Sequence, residues 1–419
     1  MTEPVPHSLA DAPWLMHGPL PRLLALLDSD GEEARVVGGA VRNALLGEMP
    51  SEFDVATTAT PDEVTRRAEA AGFKSVPTGI DHGTVTVVMD GRPFEVTTLR
   101  EDVETYGRKA KVAFGRDWKR DAERRDFTIN ALSVGADGAV HDYVGGLDDL
   151  AQRRVAFIGD PQKRIAEDYL RIMRFFRFHA AYGHGAPDAA SLEACIRERG
   201  GLDQLSRERV RMELLKLLVA PRAAATLTVM ADAGLLGNVL GGVPLVASFA
   251  DMAAIEAVMG VPADPVRRLA GLAVMISEDA ERLWQRLRLS NTEHERLASM
   301  ADAWRRIVPA NGEQAARALL YRLGPQRYVD RVLLAWARAP AEASDIAWRD
   351  LAALPERWMA PLFPLKAADF MAQGLEKGPA LGAALRAAEE AWIAQDFPAG
   401  AEALAKIVAT ALASEGGSD

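Results

Sequence analysis

A single cysteine, Cys195, in 419 residues leaves no internal disulfide to form and cannot by itself supply a cysteine-rich zinc site. Long apolar runs are missing too: no stretch of about 18 uncharged apolar residues occurs, which excludes a membrane-spanning helix. The opening residues, MTEPVPHSLADAPWL, lack a basic region followed by an apolar one, so no secretory signal is expected. These absences together set the expectation of a cytoplasmic protein with no membrane partner. Positive charge is also short, the formal net charge being −10, which argues superficially against a nucleic-acid partner. The deficit is uneven, however. Residues 151–220 hold 13 Lys and Arg against 9 Asp and Glu, whereas residues 221–419 hold 20 against 24, so contact with RNA is expected in the middle of the chain. What remains is ordinary: 49% hydrophobic and 26% charged residues, and length enough for two or three domains.

The most informative stretch is 36–60, VVGGAVRNALLGEMPSEFDVATTAT. Gly38 and Gly39 follow a short apolar run and open an amphipathic segment containing Val41, Leu45 and Leu46, so their backbone N–H groups can face an anion at a helix start. Arg42 on the first turn can add a fork of donors to the same anion. Glu52 and Asp54 are one residue apart, a spacing that in a strand points both carboxylates to one face. Such a pair can hold two Mg²⁺ roughly 3.5 to 4 Å apart, the arrangement used for in-line phosphoryl or nucleotidyl displacement. Each feature alone also reads as a tight turn or a solvated strand edge.

Along the chain, 19–27 reads as a helix with a leucine stripe. Residues 61–71 read as a second helix, with Thr60 as N-cap and Glu63 completing a capping box. TVTVVM (84–89) and FEVTTL (94–99) read as strands joined at Asp90-Gly91. Residues 100–126 are polar and aperiodic, which predicts a long mobile loop. FTINALSV (127–134) alternates like a strand. From about 150 onward only helix signals persist. In 164–179 Asp168, Arg171, Arg174 and Arg177 recur every three residues, which on one helix forms a polar ridge beside Leu170, Ile172, Met173, Phe175, Phe176 and Phe178. Residues 205–219 read as a helix capped by Ser206, its basic side chains facing RNA or water. Beyond Pro221 helices are expected to be cut at Gly241-Gly242, Val261-Pro262, 309–312 and Ala339-Pro340, with no short fixed-period repeat and a frayed end.

In order and spacing, GGAVRN, EFDVAT and PDEV resemble the G-G-x-V-R-D, D-x-D-I-A-T and P-x-E-V pattern of the class II bacterial tRNA nucleotidyltransferase (CCA-adding enzyme) and poly(A) polymerase family. GRKAKVAF, DW and DAERRDFTINAL resemble that family's flexible loop and following strand, and RIAEDYLRIMRFFRFH its E-D-x-L-R-x-x-R-x-x-R-F motif. The likeness covers roughly residues 20–220. Asn43 and Glu52 depart from it, each standing where the pattern has Asp, and Tyr106 stands where many relatives are acidic.

The resemblance implies an α+β nucleotidyltransferase (polymerase-β-like) head over 1–150, a helical base-recognition neck over 151–220, and an all-helical, tRNA-binding body and tail over 221–419. The implied activity is template-independent transfer of CMP and AMP from CTP and ATP to the 3′ acceptor end of tRNA. Glu52 and Asp54 would hold Mg²⁺, with Glu95 as a third catalytic carboxylate. Gly38, Gly39 and Arg42 would grip phosphate, Arg125 would contact the nucleotide, and Asp126 and Asn130 would organise the site. Asp168 and Arg171 would read the base edge with Glu167 orienting them, and Arg174 and Arg177 would touch nucleotide or phosphate. His141 is expected to be structural. The alternatives are a poly(A) polymerase on the same scaffold, an enzyme adding only CC or only A, and a lapsed RNA-binding protein.

Overall fold

The computed structural model describes residues 7–79, 83–106 and 109–415. These fall into two compact units, residues 1–239 and 240–419. The first holds all the strands: β1 Ala34–Val37, β2 Asp54–Thr57, β3 Lys74–Gly79, β4 Thr84–Met89, β5 Arg92–Thr98, β6 Arg100–Tyr106, β7 Lys109–Phe114, β8 Ser133–Val134 and β9 Val140–His141. Seven of them form one sheet in the order β3-β4-β5-β2-β1-β8-β9, while β6 and β7 pair as a separate ribbon. Within the large sheet only β2 and β5 run parallel.

Burial alternates along β4, so Val85, Val87 and Met89 point into the core while Thr84 and Thr86 stay on the accessible face. Asp90 and Gly91 both adopt positive φ, 51° and 76°, the left-handed pair that a two-residue hairpin requires. The apolar face is covered by the Pro19–Leu27 helix, through Leu20, Leu23, Leu24 and Leu27, and by the Pro61–Ala70 helix, through Val64 and Ala68. Arg67 is buried and donates to the carbonyls of Leu26, Leu27 and Ser29, satisfying the end of the first of these helices.

Several expectations are corrected. Thr60 caps the Glu63 N–H, but the Glu63 carboxylate accepts from Arg66 and Arg67, so no reciprocal box forms. Residues 100–126 are not one loop: they contain the β6–β7 ribbon and the Trp118–Glu123 helix. Residues 127–134 are strand only at Ser133–Val134, because a 3-10 turn, Thr128–Asn130, intervenes. Thr128 donates to Asp149 at 2.6 Å, and a Cβ on Gly146 would lie 2.3 Å from the Thr128 carbonyl oxygen, so this turn is held by close approach of the Gly146–Ala151 helix. The edge strand β3 went unread in the sequence; it carries Pro77 and little buried surface, both usual at a sheet edge. Gly107, Arg108 and the last four residues lie outside the described residues.

Among the described residues, 240–419 contain helices joined by turns and coil, and no strand. A buried ionic cluster ties four segments: Arg267 meets Glu256 at 2.7 Å and Asp330 at 3.2 Å, and Arg296 meets Asp330 at 2.9 Å and Asp264 at 3.1 Å. Removing one partner from such a cluster typically costs about 3 to 5 kcal/mol. A second core gathers Phe370, Leu381, Trp392, Ile393 and Ile407. The Gly312–Trp336 helix kinks at Gly324 (φ 73°, ψ 167°), immediately before Pro325, whose ring disfavours helical backbone in the preceding residue. Among the described residues no helix is long and apolar enough to cross a membrane.

Candidate active site

β2 starts at Asp54, and its parallel register with β5 sets Asp54 directly beside Glu95 on the accessible face of the sheet. Glu52 lies just before the strand, so the expected in-strand pairing of Glu52 with Asp54 is replaced by a cross-strand pair. Glu52 still lines a cleft of about 880 Å³ together with Asp54, Glu95, Trp14, His17 and Phe53. Burial within the cleft, then the nearby Glu95 charge, raises the Asp54 pKa above the usual carboxylate value; Arg125 opposes the rise and Glu52 adds to it. Carboxylates crowded in this way repel one another unless a cation lies among them, so the donor set fits a divalent metal. Among the described residues no three acidic or imidazole groups form a ready-made metal cage. The sheet fixes the Asp54–Glu95 pair, and Glu52 stands at the rim.

Asp54 also opens onto a second cleft, of about 470 Å³, lined by Gly38, Gly39, Arg42, Arg124, Arg125, Asp126, Asn130, Asp168, Arg171, Arg174, Arg177 and Phe178. The folded chain thus gathers every predicted nucleotide-binding residue except Glu167 around one concavity. Gly38 takes φ 72° to start the short Gly39–Leu45 helix, and a Cβ there would lie 3.3 Å from Arg125 Nη1. Asp121, buried within the Trp118–Glu123 helix, holds Arg124 at 2.6 Å and Arg125 at 3.2 Å. Asp126 accepts from Asn130 Nδ2 at 3.1 Å and from Arg174 Nε at 2.7 Å, while Asn130 Oδ1 accepts from Arg42. Asp126 and Asn130 therefore connect Arg42 on the Gly39–Leu45 helix to Arg174 on the helix that carries the arginine ridge.

That helix differs from expectation. The Pro161–Glu167 helix ends before Asp168, whose backbone is extended (φ −155°, ψ 106°), and a new helix runs from Leu170 to Tyr182. Asp168 is thus not part of a continuous ridge. The break lets its Oδ1 accept from Leu170 N at 3.1 Å and its Oδ2 from Arg209 at 2.6 Å. Glu167 takes Arg164 at 2.6 Å and Arg171 at 2.5 Å, so it orients Arg171 but not Asp168. Arg174 and Arg177 both face Glu213, at 3.6 and 2.5 Å, and Arg177 lies 4.0 Å from the Phe178 ring centre.

Arg209 and Glu213 sit four residues apart on the Arg207–Leu218 helix. Arg209 was expected to face RNA or water and instead pairs with Asp168. Glu213, Asp121 and Tyr182 were missed in the sequence. Only Asp121 left a local signal there, its i+3 and i+4 spacing to Arg124 and Arg125. His141 lies on β9, lines neither cleft, and is held below its ordinary pKa by burial and Arg35.

Comparison with known proteins converges on one family. Residues 34–156 match the model described as the poly A polymerase head domain, and residues 187–248 the one described as a probable RNA and SrmB-binding site of polymerase A. The mitochondrial CCA tRNA nucleotidyltransferase 1 of Danio rerio is 35% identical over 372 residues, covering 86% of this chain and 83% of the relative. The human counterpart is 32% identical, covering 89% and 86%. A CCA-adding enzyme of Bacillus stearothermophilus, solved in complex with CTP, superposes with a TM-score of 0.73 at 26% identity, over 95% of this chain and 98% of that one. The Thermotoga maritima CCA-adding enzyme, solved with tRNA, shares the fold at a TM-score of 0.69 and 18% identity, over 93% and 94%. An α+β nucleotidyltransferase head followed by a helical remainder is the architecture these proteins have in common, and head domains of this polymerase-β type generally work with a divalent metal. With about a third of its residues shared across more than four fifths of the vertebrate relatives, the chain belongs to the CCA tRNA nucleotidyltransferase family and is a nucleotidyltransferase.

Proposed function

We propose that this enzyme adds CMP and AMP, from CTP and ATP, to the 3′ end of tRNA without a nucleic-acid template, releasing pyrophosphate. The observation that carries the reading is the Asp54–Glu95 pair, set in register at the edge of an arginine-lined cleft. Asp54, Glu52 and Glu95 are the residues that would hold Mg²⁺. Bound there, Mg²⁺ would lower the pKa of the attacking 3′-hydroxyl and stabilise the leaving pyrophosphate. The bare backbone at Gly38 and Gly39, with Arg42, Arg124, Arg125, Arg174 and Arg177, receives the triphosphate. Asp126 and Asn130 keep Arg42 and Arg174 at fixed positions around it. Asp168 and Arg171 offer acceptors and donors to the base edge, and Glu167 holds Arg171 in place.

In this reading residues 1–150 act as the catalytic head, 151–220 as the base-reading neck, and 221–419 as the body and tail that bind the tRNA acceptor end. Its setting is the cytoplasm, consistent with a lone, buried thiol at Cys195. Asp54→Ala tests the assignment: it should abolish nucleotide transfer while leaving thermal stability and tRNA binding nearly unchanged, because the side chain lies in a polar cleft and not in the core. Wild-type turnover in the variant would contradict it.

A further inference from the structure

Among the described residues, the arginines lining the 470 Å³ cleft differ in one respect. Arg124 and Arg125 pair with Asp121, Arg171 with Glu167, Arg174 with Asp126, and Arg177 with Glu213. Arg42 is the most deeply buried of them, 5% exposed, and every partner it has is neutral. Its Nε and Nη2 donate to Asn43 Oδ1 at 3.1 and 2.9 Å, its Nη2 also to the Tyr182 hydroxyl at 2.7 Å, and its Nη1 to Asn130 Oδ1. The Tyr182 ring centre lies 3.9 Å from the guanidinium carbon. Burial holds its pKa below the usual arginine value and the nearby Arg177 charge adds to the fall, while Tyr182 and, more weakly, Glu48 oppose it. A buried cation held only by dipoles keeps its full charge for whatever reaches it from the cleft. The approach is clear on that side, since Gly39 presents no side chain to it.

Asn43 is what keeps Arg42 in this state. Its amide oxygen accepts from two N–H groups on one edge of the guanidinium, where a carboxylate oxygen would instead form a forked ion pair and cancel the charge. We propose that Asn43 sets the cleft's affinity for polyphosphate, holding Arg42 through a neutral acceptor so that one whole positive charge is left for the triphosphate of the incoming nucleotide to neutralise. The proposal rests on the nucleotidyl-transfer reading of the same cleft.

The test is binding without transfer: inorganic tripolyphosphate, CTP and ATP titrated calorimetrically into the full chain with chelator present and no tRNA. Asn43→Asp should weaken all three by a common factor of about ten, the scale of one compensated charge at this range and partial burial. It should also raise the melting temperature of the unliganded protein, because a buried charge gains its partner. Asn43→Ala removes the acceptor without adding charge; it should lower the melting temperature yet leave tripolyphosphate affinity within about threefold of the parent. Undiminished tripolyphosphate binding by Asn43→Asp, a fall in its melting temperature, or equal losses of binding in the two variants would each overturn the proposal. A parent chain that binds tripolyphosphate and responds to Asn43→Asp as stated, but never transfers a nucleotide, would instead sink the functional reading alone.

Discussion

Arg171 is held through its Nη1, which donates to the Arg164 carbonyl at 2.6 Å and pairs with Glu167 at 2.5 Å, and the residue lines the cleft. Removing it takes donors from the base edge while leaving Asp54, Glu95, Gly39 and Arg125 untouched. Loss of one such contact typically costs about 1 to 3 kcal/mol, or roughly 5- to 150-fold. Arg171→Ala should therefore let UTP or GTP compete measurably with CTP and ATP, at a lowered rate for the correct nucleotides, in a mixed-nucleotide incorporation assay. An equal fall for every nucleotide, with discrimination intact, would assign Arg171 to phosphate binding instead. Residues of this kind were legible in the sequence because they lie within short ordered motifs. Tyr182 and Glu213 were not, because each meets its partner across a long separation: Arg42 precedes Tyr182 by 140 residues, and neither end marks the other.

Among the elements, the Arg207–Leu218 helix does most to position charge. Arg209 and Glu213, one turn apart, reach Asp168 on one side and Arg174 and Arg177 on the other. A test that neutralises Arg207, Arg209 and Arg211 to measure phosphate attraction would therefore also release Asp168, so Arg209 has to be tested separately. Glu213→Gln should raise the KM for both CTP and ATP about fivefold or more as the two arginines lose their common carboxylate, with Glu213→Asp falling between it and the parent. A lowered melting temperature with unchanged KM values would limit Glu213 to a structural role. Three-residue spacing could not reveal the break at Asp168, since 164–179 has the composition of one helix and the break depends on the backbone N–H of Leu170 and on Arg209. The β6–β7 ribbon was hidden for a different reason. Its sequence is polar, charged and poor in periodicity, so it reads as a loop, whereas β4 and β5 carried the β-branched pattern and the Asp90-Gly91 turn that a buried sheet needs.

Across the whole chain, the acidic total obscures a middle segment with a surplus of Lys and Arg, and that segment supplies much of the arginine lining of the nucleotide cleft. The cuts read at Gly241-Gly242, Val261-Pro262, 309–312 and Ala339-Pro340 all fall between α-helices or at the start of one, because Gly and Pro act through the backbone, but the kink at Gly324-Pro325 went unread. Roles for these helices were not legible, since amphipathic stripes encode burial and not ligand chemistry. The central claim is that nucleotide order is read by protein side chains without a template. It is tested most directly by incubating the enzyme with tRNA lacking its 3′ CCA, supplying each nucleoside triphosphate singly and in combination, and sequencing the 3′ ends. The account predicts addition of CC with CTP alone, CCA and no further with CTP and ATP together, and no extension with UTP or GTP; a run of adenylates added from ATP alone would contradict it.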